Sequence, residues 1–272
     1  AVLGHVSAIN IRSWENDMIH VAVSGCAGRM GATVVAAVLA ADDMDLVCGI
    51  DPHQTPAAFP VYKSVPEALA AQDTIDVLID FTEPSSVADN IRSCLAAHIN
   101  CVVGTTGLTP ADLEKLAEQA CDNTCLFYAP NFTIGAVLMM QFAEIAAKYF
   151  PEAEVIEFHH CHKKDAPSGT AMNTARRIAA ARDHVSLASG RETEVADGQG
   201  ARGALVEGVP VHSVRSNGYS ASQEVIFGSM GQTLTIRHDS WDRASYMPGV
   251  LLAVRAVIDR EGLIIGLENL MA

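Results

Sequence analysis

Apolar residues follow a repeating order through the first half of the chain. From residue 19 onward, short runs rich in β-branched residues alternate with longer stretches of helical periodicity. The predicted buried strands are Ile19–Ser24, Met44–Ile50, Ile75–Phe81, Ile99–Gly104 and Asn123–Ala129. Because helical stretches separate these strands, the pattern predicts right-handed crossovers and a doubly wound parallel sheet. Ligands of such a sheet bind at the carboxyl ends of its strands.

The pattern changes after a predicted helix over residues 135–149. Apolar and polar residues then alternate along four further segments, and no helical pattern separates the last three of them. These segments are residues 153–160, 208–214, 222–228 and 232–238. They predict a second α+β lobe with a mostly antiparallel sheet, which is a good candidate for subunit packing. A final helical pattern over residues 246–260 is expected to pack back on the first lobe.

Composition narrows the class of protein. The formal net charge of −14 argues against a nucleic-acid partner, which usually requires a basic face. No uncharged apolar run approaches the roughly 20 residues that span a bilayer, so we expect no membrane partner. Seven scattered cysteines without a secretory signal favour buried thiols in a reducing cytoplasm over a disulfide framework.

Three glycines mark the end of the first strand. Gly25, Gly28 and Gly31 lie three residues apart at a strand-to-helix turn, which suits a tight turn, close approach to a pyrophosphate and helix packing. The turn amides and the start of the helix would bind the phosphates of a dinucleotide. Ala27 replaces the usual middle glycine, so a plain tight turn is the alternative.

Asp51 ends the second strand, about 20 residues past the last of these glycines, where Rossmann-type sheets place a carboxylate on the adenosine ribose. This carboxylate would repel a 2′-phosphate and favour NADH. Arg29, His53 and Lys63 could offset the repulsion, which keeps NADPH open. Alternatively, Asp51 before Pro52 simply begins a turn.

The remaining strand ends of the first half are expected to surround a nicotinamide. Turn chemistry alone would also place Gly, Pro and Asn at these positions. The predicted cofactor-binding residues are Gly25, Cys26, Ala27, Gly28, Arg29, Met30, Asp51, Phe81, Thr82, Gly104, Thr105, Thr106, Ala129, Pro130, Asn131 and Phe132.

These observations give a predicted domain division. We expect a dinucleotide-binding domain of residues 18–146 and 244–272, and a substrate-binding and oligomerisation domain of residues 147–243. Residues 1–17 lack periodicity and are interpreted as a tag or a loose extension.

The segment "HHCHKKDAPSGT", residues 159–170, carries most of the chemistry of the second half. A metal site is disfavoured because successive strand residues point to opposite faces and Lys163 and Lys164 would repel a dication. A solvated charged loop is a second interpretation. The third is a proton donor beside an anion site: Ser168 can cap a helix whose free amides belong to Gly169 and Thr170, and Lys163 adds a positive charge.

The same segment, "EVIEFHHCHKKDAPSGTA", resembles the signature of the dihydrodipicolinate reductase family, now called 4-hydroxy-tetrahydrodipicolinate reductase. The likeness extends through the glycine turn, "DFTEPS", "VVGTTG", "APNFTIGAV" and "SWDRASYMPGVLLAVR", and is greatest to the actinobacterial branch. It covers nearly all of residues 18–272.

The resemblance implies hydride transfer from NADH or NADPH to a cyclic dicarboxylate, giving tetrahydrodipicolinate in lysine and diaminopimelate biosynthesis. It implies that His159 donates the proton with help from Lys163, and that the family's homotetramer is retained. Implied substrate-binding residues are His160, Lys163, Gly169, Thr170 and Arg243, although a surface ion pair is an alternative for Arg243. Ser222 stands where similar sequences often carry histidine, so any role of that histidine is absent.

Two other functions compete with this interpretation. Another two-lobed dehydrogenase, such as one acting on an amino acid, would need a different substrate pocket. A non-catalytic NAD-sensing regulator would normally carry a basic DNA-binding module, which this acidic chain does not show.

Overall fold

The computed structural model describes residues 18–53, 56–120, 122–182 and 200–271. The predicted extension, residues 1–17, lies outside the described residues. The strands are β1 (Ile19–Ser24), β2 (Met44–Ile50), β3 (Val61–Tyr62), β4 (Val77–Asp80), β5 (Asn100–Val103), β6 (Cys125–Tyr128), β7 (Glu152–His159), β8 (Ala204–Val206), β9 (Val209–Arg215), β10 (Ala221–Ser229), β11 (Gln232–Ser240) and β12 (Gly262–Ile265). The helices are α1 (Arg29–Leu39), α2 (Val65–Ala71), α3 (Val87–Ala96), α4 (Pro110–Ala117), α5 (Ile134–Ala147), α6 (Gly169–Ala180) and α7 (Met247–Val257), with short 3-10 helices at Arg243–Tyr246 and Leu267–Leu270.

The first sheet has seven strands in the order β12-β6-β5-β4-β1-β2-β3, and every pair in it is parallel. Alternate residues of its strands point to opposite faces. Val21 and Val23 of β1 pack in a core with α1 and α7, whereas Ala22 packs in a second core with α2, α3 and α4. Both faces are therefore covered, which explains why the strands are continuous apolar runs.

The second sheet has five strands in the order β11-β10-β7-β9-β8. Three of its four pairs are antiparallel, and β7 pairs with β9 in parallel. Helix α6 covers one face through Ala171, Thr174, Ala175 and Ile178, which recur at the spacing of an amphipathic helix.

These sheets confirm the predicted fold class, a Rossmann-type parallel sheet plus a second lobe with a mostly antiparallel sheet. Strands β1 and β2 have the predicted bounds. The sequence analysis did not identify β3, β8 or β12. Of these, β12 matters most, because it brings the end of the chain to the edge of the first sheet beside β6.

The chain passes from the first sheet to the second between β6 and β7 and returns between β11 and β12. Helix α5 packs on α6, β10 and β11, so it contributes mainly to the second lobe. Two glycines on these connections are tightly packed. A Cβ on Gly249 of α7 would overlap the Phe132 carbonyl, and a Cβ on Gly135 of α5 would overlap the His238 ring.

Five of the described cysteines, Cys26, Cys48, Cys94, Cys101 and Cys125, are buried free thiols, and Cys161 is exposed. Among the described residues, no helix combines the length and apolar character needed to cross a membrane.

Candidate active site

The glycine turn after β1 has the geometry of a phosphate-binding loop. Gly25 has a φ of 79°, and a side chain at Gly31 would overlap the Gly25 carbonyl, so neither position accepts a Cβ without movement. Gly28 is the N-cap of α1 and offers no side chain to the first-turn amides, and that turn holds no acidic residue. The helix therefore begins with uncapped donors and a favourable dipole for an anion.

Asp51 supports this turn from the end of β2. Its buried carboxylate accepts hydrogen bonds from the Ala27 amide at 3.1 Å and from the His53 amide at 2.9 Å. The bond to His53 is the turn-forming role that the sequence also allowed. Each carboxylate oxygen has a second lone pair, so the same side chain can still accept a ribose hydroxyl.

The ends of β4, β5 and β6 meet as predicted. The Phe81 ring fills the space that a side chain on Gly104 would need, and it lies 5.6 Å from the Phe132 ring. Thr82 and Thr105 are joined by a hydrogen bond of 2.6 Å from the Thr82 amide to the Thr105 hydroxyl.

Asp80, which the sequence analysis did not single out, holds this group together. Its fully buried carboxylate accepts hydrogen bonds from the Thr82 hydroxyl at 2.7 Å, the Thr105 hydroxyl at 2.6 Å and the Asn90 amide at 2.8 Å. The sequence did contain an indication of this role, because Asp80 is the last residue of a buried strand and a buried carboxylate needs several hydrogen-bond donors.

The second lobe places His159 at the end of β7. Ala153, Val155 and Glu157 alternate as buried residues on one face of the strand, and His159 follows on that face with 14% of its side chain exposed. The Nδ1 atom of His159 makes a short hydrogen bond to Oε2 of Glu157.

The Glu157 carboxylate accepts several hydrogen bonds, and the sequence analysis did not identify this residue. The Arg215 guanidinium binds both of its carboxylate oxygens at 2.8 Å, and the Ser168 amide donates to Oε1 at 3.2 Å. Burial alone would raise the pKa of the Glu157 carboxyl, but the hydrogen bonds from His159, Arg215 and Ser213 outweigh it and lower that pKa to about 2.

The carboxylate of Glu157 therefore stays ionised at neutral pH. Because its pKa is lowered on folding, the stability that its partners confer is complete above its ordinary pKa of 4.5 and is lost as the pH falls toward 2.

The segment after β7 brings the predicted anion-binding groups to the start of α6. Ser168 is the N-cap, and its hydroxyl accepts a hydrogen bond from the Ala171 amide at 3.2 Å. Added to Gly169, a Cβ would meet no atom within 4 Å, so the backbone there faces open space. The amides of Gly169 and Thr170 precede the first intrahelical bonds and are free to bind an anion.

Lys163 lies in the same segment and pairs with Asp165 at 2.8 Å. The hydrogen bond from Lys163 lowers the pKa of the Asp165 carboxyl. His160 is exposed, and its ring centroid lies 6.3 Å from that of His162. Within the part of the chain that the structure describes, no three His, Cys, Asp or Glu side chains are grouped so that they could hold a metal ion.

Two further residues, Arg243 and Ser222, were discussed on sequence grounds. Arg243 begins the 3-10 helix after β11, is exposed, and makes no ion pair with another described residue. The surface ion pair considered for it is therefore not found. Ser222 is buried on β10 opposite Phe158 of β7 and Asp239 of β11.

Comparison with known proteins gives a consistent result over nearly the whole chain. The profile described as "Dihydrodipicolinate reductase, N-terminus" matches residues 19–132, and "Dihydrodipicolinate reductase, C-terminus" matches residues 135–271. Proteins named 4-hydroxy-tetrahydrodipicolinate reductase from Mycolicibacterium vanbaalenii and Cutibacterium acnes are 51% and 49% identical, over 93% of this chain and 99% of each relative.

Solved structures agree. The dipicolinate-bound dihydrodipicolinate reductase from Paenisporosarcina sp. TG-14 has a TM-score of 0.84 and 40% identity, covering 93% of this chain and 99% of that one. A probable dehydrogenase from Thermotoga maritima, at a TM-score of 0.62 and 14% identity over 93% of this chain and 92% of that one, shares the fold alone.

Proposed function

The chain belongs to the dihydrodipicolinate reductase family, and from this membership we propose which of its residues carry out the reaction. The activity is the NAD(P)H-dependent reduction of 4-hydroxy-tetrahydrodipicolinate (dihydrodipicolinate) to tetrahydrodipicolinate in lysine and diaminopimelate biosynthesis. Other two-lobed dehydrogenases share only the fold, and the family assignment replaces both the amino-acid dehydrogenase and the NAD-sensing alternatives.

We propose His159 as the proton donor. Its Nδ1 is engaged by an ionised Glu157, so Nε2 is the nitrogen left to face substrate. Bound NADH or NADPH supplies the hydride. His159 gives its Nε2 proton to the substrate atom on which negative charge develops, and Lys163 assists by stabilising that charge.

The start of α6 is the proposed binding site for the substrate carboxylates. The amides of Gly169 and Thr170 donate to one carboxylate, and the charged Lys163 and the exposed His160 add further donors. Arrival of a dianion would draw Lys163 away from Asp165, a partner that is 56% exposed and therefore weakly held. Arg243, which has no ion pair among the described residues, is retained as a further proposed substrate contact.

Replacement of Gly169 by alanine tests this site. The added methyl group meets open space in the protein, so folding should be unaffected, but it would occupy room next to the free amides. We expect affinity for dipicolinate, measured by calorimetry, to fall about tenfold, since a hydrogen bond to a charged group is worth roughly 1.5–3 kcal/mol.

Gly218→Ala is the matched control, because a Cβ there meets only the Ser216 hydroxyl at 4.0 Å. Equal dipicolinate affinity in the two variants would place the substrate carboxylates elsewhere.

The proposed cofactor site uses the glycine turn for the pyrophosphate, Asp51 for the adenosine ribose and the ends of β4, β5 and β6 for the nicotinamide. Uncapped amides at α1 and the absence of side chains at Gly25 and Gly28 support the first assignment. The residues proposed to line this site are Gly25 to Met30, Asp51, Phe81, Thr82, Gly104 to Thr106 and Ala129 to Phe132.

Asp51→Ala tests the ribose assignment. Loss of the carboxylate removes the acceptor for the ribose hydroxyls and the repulsion of a 2′-phosphate. We expect the ratio of kcat/KM with NADPH to kcat/KM with NADH to rise at least tenfold in a nucleotide-oxidation assay with freshly made substrate. Disturbance of the turn through Ala27 affects both cofactors equally and cancels in this ratio.

Asp76→Ala is the control, because Asp76 also accepts a backbone amide, that of His20 at 2.7 Å, but it precedes β4 at the opposite end of the sheet. An unchanged cofactor ratio in Asp51→Ala would remove the residue from cofactor selection.

We also propose that the enzyme is a cytoplasmic homotetramer assembled through its second lobe. That lobe carries an exposed apolar surface on α5, the turn after it and β11, including Phe142, Ile145, Tyr149 and Leu234. A contiguous apolar surface of this kind supports subunit contact. The packing of α5 against the second sheet further favours a second lobe that begins at α5, earlier than the predicted boundary at residue 147.

A further inference from the structure

Glu157 binds groups from several parts of the proposed catalytic segment. Its carboxylate binds the His159 imidazole through Oε2 and the Ser168 amide through Oε1, and Arg215 binds both oxygens. Arg215 also donates to the Asp165 carbonyl at 2.8 Å. The ion pair between the buried Glu157 and the partly exposed Arg215 therefore joins the proton donor, the N-cap of α6 and the loop that carries Lys163.

Stability alone is a weak reason for this arrangement. Glu157 has no exposed surface, and an ionised carboxylate in such a place incurs a desolvation cost that its partners offset only with good geometry. A hydrophobic residue would fill the position at less cost, as Ala153 and Val155 do on the same face of β7. The carboxylate instead provides what an apolar side chain lacks, which is a fixed acceptor for His159 Nδ1.

We infer that Glu157 and Arg215 are positioning residues that hold His159 with Nε2 toward the substrate and at a fixed distance from the carboxylate-binding amides of α6. Glu157 accepts a hydrogen bond from the Nδ1–H group of His159 in both protonation states of the ring. The positive charge of Arg215 partly neutralises the Glu157 carboxylate. The carboxylate therefore stabilises the protonated imidazole less than it would alone, and His159 can still give up its Nε2 proton. The inference rests on the proposed role of His159.

Charge makes this role distinguishable from a purely structural one. Among the described residues, the charged groups around His159 are Glu157 on β7, Arg215 on β9, and Lys163 and Asp165 in the segment after β7. Loss of the Glu157 charge leaves Arg215 to disfavour the protonated imidazole. Loss of the Arg215 charge leaves Glu157 to favour it.

The experiment compares Glu157→Gln and Arg215→Gln by steady-state kinetics across pH. We expect kcat in Glu157→Gln to fall about tenfold, with KM for the substrate within threefold. The alkaline limb of the kcat profile should move to lower pH. In Arg215→Gln the same limb should move to higher pH. If Glu157 and Arg215 had only a structural role, both variants would have a lower Tm, and the alkaline limbs of their kcat profiles would not move in opposite directions.

Glu154→Gln is a closely matched control. Glu154 lies on the same strand and also binds an arginine and a histidine, Arg202 and His212, but it points to the opposite face of the sheet. Its pH profile should match that of the unmodified enzyme. If either glutamine variant fails to fold, Arg215→Lys, which keeps the charge but not the two-point contact, should retain the pH profile and lower kcat.

The outcomes separate this inference from the proposed function. Normal turnover in His159→Gln would overturn the proton-donor assignment and the inference together. Loss of turnover in His159→Gln, with pH profiles unchanged in both Glu157→Gln and Arg215→Gln, would overturn the inference alone.

Discussion

Replacement of His159 by glutamine is expected to lower kcat at least tenfold, because a positioned general acid typically contributes about 10²–10⁴ in rate. Glutamine has a similar reach and can donate a hydrogen bond, but it cannot transfer a proton at neutral pH. Because His159 lies on β7 and the proposed nucleotide-binding residues lie on the first sheet, affinity for NADH should remain close to normal. Steady-state rates and a separate titration of NADH binding measure the two effects.

His162→Gln provides the control for this substitution. His162 lies three residues further along, is exposed, and has no carboxylate partner among the described side chains. Turnover that stays normal in His159→Gln, or falls equally in both variants, would exclude His159 as the specific proton donor.

Replacement of Lys163 by alanine is expected to raise KM for the substrate and to lower kcat/KM by roughly 10- to 100-fold, the loss of a charge-assisted contact worth about 1.5–3 kcal/mol. The side chain is 22% exposed, and its ion-pair partner among the described residues is the exposed Asp165. Pairs of this kind contribute at most about 1 kcal/mol to stability. Tm should therefore change little. Kinetics at several substrate concentrations and a thermal melt measure the two effects.

Lys164→Ala is the control, because Lys164 is the exposed neighbour of Lys163 and carries the same charge. If Lys163→Ala changed Tm but left KM and kcat as they are in Lys164→Ala, Lys163 would have a structural role.

The local parts of the site could be predicted from the sequence. His159, Lys163, Ser168 and Gly169 lie within eleven residues, so a strand end, a turn and a helix start suffice to place them together. The first two strands were also predictable, because β-branched residues buried on both faces form continuous apolar runs.

Residues brought together by strand pairing could not be predicted in the same way. Arg215 lies opposite His159 only because β9 pairs in parallel with β7 in one register, and nothing near Arg215 in the sequence indicates that register. Strand β12 is four residues long and follows a helix, so its periodicity is too short to distinguish it from a helix end.

The position of β12 affects how the protein is made. Its partner β6 is complete at residue 128, but β12 begins only at residue 262. During synthesis on the ribosome, residues 129–261 are therefore translated while one border of the first sheet has exposed backbone donors and acceptors. Such a border can pair with another nascent chain. A fragment that ends at residue 132 matches a family profile, but its β6 edge would stay unpaired. It would also lack the apolar residues of α7 that cover the first sheet.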